Sequence, residues 1–234
     1  MISEAIVLAG GLGTRLKSEV PGLPKCLAPV AGKPFLDWIL GYYRNQGICR
    51  FVFALGYMKE DIEQFVESRF SPPEYAFSLE HEPLGTGGAL YQACHHASSR
   101  DVVVLNADTF FGLNLEEISS FHLDRKSACT MALKQMQRVD RFGKVELNSQ
   151  QQVIGFSEKK YMESGFINGG VYILHVPAFL SISFPAVFSF EKDYLEKKYR
   201  DGKIFGIVSP GYFIDIGIPE DYHRAQSELI QHIS

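Results

Sequence analysis

Three short runs, Ala5-Ile6-Val7-Leu8, Phe51-Val52-Phe53-Ala54-Leu55 and Val102-Val103-Val104-Leu105, are apolar at every position. Strands built from them cannot turn either face to water, so they belong inside a parallel sheet covered by helices on both sides. The intervening segments agree. Helical patterns cover Phe35–Gln46 and Lys59–Arg69, a strand is expected over Tyr75–Glu80, and a loop and helix over Leu84–His96. This strand–helix repetition predicts an α/β chain with a Rossmann-like, mostly parallel central sheet, flanked by helices and joined by right-handed crossovers. After Asn114 the pattern changes. A helix is expected over Leu115–Arg125, then strands near Ala128–Lys134, Gly143–Leu147, Val153–Phe156 and Gly169–Leu174, with late helices over Ser189–Arg200 and Pro219–His232. No linker, repeat or low-complexity stretch divides the 234 residues, so one domain over 1–234 is expected.

Ligands of such sheets bind beyond the carboxyl ends of the strands. The first strand runs there into Gly10-Gly11-Leu12-Gly13-Thr14-Arg15, and Pro24-Lys25 follows. A glycine-rich, donor-rich loop with two cations suits the phosphates of a nucleoside triphosphate. The loop is not a dinucleotide fingerprint, because its third glycine would fall at Leu16, and Gly32-Lys33 runs into Pro34 rather than the Ser or Thr of a Walker loop. A formal net charge of −4 argues against a nucleic-acid surface. No apolar run approaches the roughly 18 residues of a membrane span, and no leader pattern precedes the first strand. Cys26, Cys49, Cys94 and Cys129 follow neither a zinc nor a disulfide spacing, which points to the cytoplasm.

Asn106-Ala107-Asp108 stands at the end of the third apolar run. A hard carboxylate at that edge suits Mg²⁺, which takes oxygen ligands and keeps substrate phosphates and waters in its shell; an Asx-turn into Thr109 is the structural alternative. Asp215 lies between two isoleucines in Phe213-Ile214-Asp215-Ile216-Gly217, where an acid needs a cation or hydrogen bonds. Glu82-Pro83-Leu84-Gly85-Thr86-Gly87-Gly88 can be a capped helix start or a ligand loop, and Asp140–Gly143, Ser157–Lys159 and Asn168–Gly170 read singly as turns.

Taken together, G-G-x-G-T-R, P-K, E-P-L-G-T-x-G, the acid after the third apolar run and the late D-x-G resemble the sugar-1-phosphate nucleotidylyltransferases over essentially the whole chain. The resemblance implies the nucleotide-diphospho-sugar transferase fold. It implies a nucleotide site at Leu8, Ala9, Gly10, Gly11, Gly13, Thr14, Glu80, Gly85, Thr86 and Asn106, with Glu80 or Glu82 able to accept from guanine N1–H and N2–H₂. It implies a sugar site at Gly143, Glu158, Asn168 and Gly169, and Mg²⁺ on Asp108 and Asp215. Arg15 and Lys25 would hold the triphosphate, and Lys159 would steer the attacking sugar phosphate. The chain departs from the family in Lys25-Cys26, where Lys-Pro is usual, and in Ala107-Asp108, where Gly-Asp is usual.

Further stretches, among them Leu133–Met136, Ile167–Gly170, Ser189–Asp193 and Tyr212–Tyr222, resemble the bacterial D-glycero-α-D-manno-heptose 1-phosphate guanylyltransferases, which make GDP-heptose for surface polysaccharides. The implied substrates are GTP and a sugar 1-phosphate, with no nucleic acid or membrane partner; exposed helices leave a homodimer open. A sugar 1-phosphate is already an anionic nucleophile, so this chemistry needs alignment and charge neutralisation rather than a serine, cysteine or histidine base. Other readings stay open: a GTP or UTP enzyme for mannose, glucose or N-acetylmuramate phosphate, a phosphocholine cytidylyltransferase, or a non-catalytic nucleotide-sugar sensor. His95-His96 carries no metal reading, and Glu191-Lys192-Asp193 reads as a solvated helix start.

Overall fold

A computed structural model of the chain describes residues 2–11, 15–16, 19–139, 143–157 and 162–233. Strand β1 (Glu4–Leu8) opens the fold, and a hairpin of β2 (Pro29–Val30) and β3 (Lys33–Pro34) leads into helix α1 (Phe35–Asn45). Then β4 (Arg50–Leu55), α2 (Lys59–Glu67), β5 (Tyr75–Leu79), α3 (Gly85–Cys94) and β6 (Asp101–Asn106) complete the alternating half. The second half holds β7 (Thr109–Phe111), α4 (Leu115–Arg125), β8 (Cys129–Val139), β9 (Lys144–Leu147), β10 (Val153–Ser157), β11 (Met162–His175) and α5 (Val176–Leu180). A π-helical segment, Phe190–Leu195, precedes α6 (Glu196–Lys198); β12 (Ile204–Val208), β13 (Phe213–Asp215) and α7 (Pro219–His232) close the chain.

The main sheet runs β10-β9-β11-β6-β1-β4-β5, with β8 pairing β11 and β12. Its β6-β1-β4-β5 part is parallel, as the apolar runs require, and β11 lies antiparallel against β6. Successive side chains of β1 enter opposite layers. Ala5 and Val7 pack with α1 and α2, whereas Ile6 packs with α3 and the segment around Phe190. The residues Phe35, Leu36, Ile39, Leu40 and Tyr43 supply the buried face of α1 at helical spacing. Asn114 caps α4, its side chain accepting from the backbone N–H groups of Glu116 and Glu117 at 3.0 and 3.2 Å.

The expected elements differ from the observed ones mainly in the second half. The strand expected near Ala128–Lys134 runs on to Val139, and the one expected from Gly169 begins at Met162. The longer strand contains a register shift between Asn168 and Tyr172, and Gly170 sits there at φ +71°, which hides its continuity in the sequence. The helix expected over Ser189–Arg200 is π-helical, then α, then 3₁₀. Thr109–Phe111, to which the sequence assigned no element, pairs with β13 as a separate two-stranded ribbon. That ribbon sets Asp215 opposite Thr109, and the Ile216 N–H donates to the Asp108 carbonyl at 3.0 Å. Two acids distant in the chain are thereby brought to one sheet edge. Among the described residues no helix is long and apolar enough to cross a membrane.

Candidate active site

The carboxyl ends of β1, β4 and β6 are tied together, since the Ala9 N–H donates to the Ala54 carbonyl at 3.0 Å and the Ala107 N–H to that of Leu8 at 3.1 Å. Above them opens a cavity of about 700 Å³. It is lined by Leu8, Ala9, Gly10 and Gly11 after β1, by Glu80, Gly85 and Thr86 after β5, and by Arg15, Lys25, Asn106 and Asp108. Gly13 and Thr14 lie outside the described residues. A Cβ at Gly10 would meet Glu80 Oε1 at 2.6 Å. The missing side chain there makes room for a carboxylate rather than for a phosphate.

Glu80, not Glu82, is the half-buried acid of this wall, and burial raises its pKa. Its Oε2 accepts the Leu84 N–H at 2.9 Å, fixing the side chain. The glycines of the Leu84–Gly88 stretch serve a purpose the sequence reading did not assign. The N–H groups of Gly87 and Gly88 donate to the Phe188 carbonyl, and a Cβ on Gly85 would meet that oxygen at 2.6 Å. They seat the Ala186–Glu191 segment against the helix start. The Thr86 hydroxyl is also committed: it donates to Glu191 Oε2 at 2.7 Å and accepts the Phe190 N–H at 3.0 Å. Thr86 lines the cavity, with its hydroxyl bonded to the Phe190–Glu191 segment.

Lys25 stands between the two acids. Its side chain is 11% exposed, and its Nζ lies 2.6 Å from Asp108 Oδ2 and 3.5 Å from Asp215 Oδ1. Asp215 also accepts the Gly217 N–H at 2.7 Å. Burial, and then the charge of Asp108, raise the Asp215 pKa; Lys25 and the Gly217 N–H pull it the other way. Two carboxylates converging on one cation form a place where positive charge is needed. They offer hard oxygens only, and among the described residues no third His, Cys, Asp or Glu joins them. That set fits Mg²⁺, which completes its shell with phosphate and water. Cys26 is buried beside this cluster, and burial together with Asp108 pushes its thiol up to about 12, so it stays protonated.

A second cavity of about 340 Å³ adjoins the first and shares Arg15 and Asn106 with it. Gly143 and Asn168, the expected sugar-site residues, line it together with Asp215, the expected metal ligand, and with Thr109, Gly170, Glu191 and Asp221, which were assigned no such place. Asn168 is oriented by donating to the Tyr172 hydroxyl at 2.6 Å and accepting the Gly170 N–H at 3.1 Å. Gly169 is outside both cavities. A Cβ there would run into the Phe111 ring, so it is a packing glycine, and its neighbour Gly170 takes the cavity position. Glu158 and Lys159 lie outside the described residues. Asp108 thus faces one cavity and Asp215 the other, with Lys25 spanning the boundary.

Two adjoining cavities that meet beside a pair of acids thus lie at the carboxyl edge of the sheet, and the chain belongs to the nucleotidyl transferase family, whose model matches residues 4–232. It is 44% identical over 230 residues to a D-glycero-α-D-manno-heptose 1-phosphate guanylyltransferase of Aneurinibacillus thermoaerophilus, covering 98% of this chain and 100% of that protein. A Campylobacter jejuni protein of the same name is 41% identical over 221 residues, 94% of this chain and 97% of the other. Among solved structures, HddC from Yersinia pseudotuberculosis, complexed with GMP-PN, superposes with a TM-score of 0.85 at 34% identity, covering 97% of this chain and 100% of that one.

Proposed function

We propose that this chain transfers GMP from GTP to the phosphate of D-glycero-α-D-manno-heptose 1-phosphate, releasing pyrophosphate and GDP-heptose for surface polysaccharide synthesis in the cytoplasm. The observation that carries the reading is the junction of two cavities at Lys25, Asp108 and Asp215. Full-length similarity to the two heptose 1-phosphate guanylyltransferases supports the choice of substrates. The four free cysteines fit a reducing compartment.

GTP occupies the larger cavity with its guanine toward Glu80, whose Oε1 accepts from N1–H and N2–H₂; uracil and thymine lack that pair of donors. Arg15 and Lys25 neutralise the triphosphate. The sugar phosphate enters the smaller cavity, where Gly143 and Asn168 hold the sugar; Glu158 and Lys159 keep the roles that the family resemblance implies, at the sugar and at its phosphate. An oxygen of that phosphate attacks the α-phosphorus as the bond to the β-phosphate oxygen breaks, and pyrophosphate carries away the electron pair. Asp108 and Asp215 would hold Mg²⁺, which supplies Lewis acidity and charge neutralisation when bound. The chain contributes alignment and fixed positive charge. No side chain becomes nucleotidylated.

The test is pyrophosphate release across GTP, UTP, CTP, ATP and dTTP with Mg²⁺ and a panel of sugar 1-phosphates. Release with GTP and the manno-heptose phosphate is expected. Release only with another pair would keep the chemistry and discard the substrates, and nucleotide binding without release from any pair would make the chain a sensor.

A further inference from the structure

Glu191 was set aside in the sequence as part of a solvated helix start, yet it lines the smaller cavity. It opens the π-helical segment Phe190–Leu195. Its Oε2 is fully engaged, accepting the Thr86 hydroxyl at 2.7 Å and the Ser189 hydroxyl at 2.9 Å. Its Oε1 takes no hydrogen bond among the described residues. Such an arrangement holds the carboxylate in one rotamer and leaves one oxygen to be satisfied from the cavity.

The surroundings say by what. The cavity is also lined by Asp215, which shares Lys25, by Asp221, which pairs with Arg224 at 2.9 Å, and by Asn168, while Arg15 lies at its junction with the nucleotide site. A phosphate is attracted toward Arg15 and repelled from Glu191, whereas a hydroxyl donates well to a carboxylate. Phe190 anchors the segment, its ring lying edge-on to Tyr172 with centroids 5.1 Å apart, and the Tyr172 hydroxyl accepts from Asn168. Glu191 and Asn168 therefore face one space from two rigid elements. Resting on the function proposed above, we infer that Glu191 is a sugar-specificity residue, its Oε1 accepting a hydroxyl of the sugar 1-phosphate. Thr86 is its positioning residue. A side chain on the wall of the nucleotide cavity thus sets the geometry of sugar recognition, through a hydroxyl the nucleotide does not use.

The experiment is bisubstrate kinetics on the full chain, with GTP binding followed by calorimetry and folding by thermal denaturation. Wild-type turnover of the heptose phosphate comes first; its absence would defeat the proposed function and not this inference. Given turnover, Glu191→Ala is expected to raise the KM for the sugar phosphate by about 10- to 100-fold, the usual worth of a charged hydrogen bond. The GTP Kd should stay within about twofold. Thr86→Val should raise the same sugar KM several-fold, and Thr86→Ser should restore it. One monodeoxy analogue of the sugar should show equal KM values with wild type and Glu191→Ala. The assignment of Glu191 is overturned by an unchanged sugar KM, by a parallel rise of both substrates' constants with a lowered Tm, or by every deoxy analogue losing further in the variant. A Thr86→Val variant that weakens GTP alone overturns the positioning role.

Discussion

The two ends of the same parallel strands carry acids, and they treat them in opposite ways. At the amino ends Glu4 of β1 is 2% exposed, and its carboxylate accepts the N–H groups of Ser98 and Ser99 and pairs with Arg50. Asp101 of β6 is shared there by His122 and His175. At the carboxyl ends Asp108 and Asp215 divide one ammonium between them, and each opens onto a cavity. Acids whose acceptor capacity is met inside the chain hold the fold together; acids left in excess of their partners beside open space are poised for a ligand. The candidate active edge is marked as much by this deficit as by any motif.

The sharpest way to break the comparison is at the active edge. Asp108→Ala and Lys25→Ala should each lower turnover by about a thousandfold or more, since each removes charge stabilisation at the transferring phosphoryl group. Both should fold, because the cluster is joined to the cavity and not to the core. Pyrophosphate release and circular dichroism on the same samples decide it. Near-normal activity in both variants would remove the site from this edge. At the other end the order should reverse. Glu4→Ala leaves the Ser98 and Ser99 N–H groups and Arg50 without their acceptor and should cost about 2–4 kcal/mol of stability. The specific activity of the folded fraction should be preserved. Denaturant unfolding paired with kinetics would show it, and a loss of turnover at unchanged stability would contradict the division of labour.

Much of the active edge was legible because its signals are local. The apolar runs dictated buried parallel strands, and ligands of such sheets gather where those strands end, which put Arg15, Lys25 and Asp108 in view from spacing alone. The partnership of Asp108 with Asp215 came from family resemblance; physically it depends on the ribbon of β7 and β13, whose three-residue strands have no periodicity to read. Glu191 was missed for a similar reason. Its neighbours Lys192 and Asp193 give it the look of a solvated helix, and only tertiary packing of Phe190 on Tyr172 turns it inward. Gly169, expected at the sugar site, packs against Phe111 while Gly170 lines the cavity, and nothing local in the sequence marks the register shift between Asn168 and Tyr172 in which both lie. The cluster of Asp101, His122 and His175 went unread altogether, since each is ordinary in the sequence and they meet only through the packing of α4, β6 and β11.

That cluster offers the finest test of the contrast. His122 on α4 is 1% exposed, with Nδ1 2.9 Å from the Thr130 hydroxyl of β8 and Nε2 3.2 Å from Asp101 Oδ1 of β6. His175, at the end of β11, lies 2.7 Å from the same Asp101 oxygen. Burial lowers the His122 pKa below 6.5 despite Asp101, with the nearby His175 acting in the same direction. The folded chain therefore binds its proton less readily than the unfolded chain. Stability from this group is complete above about pH 6.5 and declines as pH falls toward the folded pKa, by at most about 1.4 kcal/mol per pH unit. Urea unfolding between pH 5 and 8 should show that slope in the wild type and lose it in His122→Gln, which starts from a lower plateau. An equal slope in His122→Gln would mean that the acid sensitivity belongs to other groups, and that the amino ends of the strands are not where this fold answers to protons.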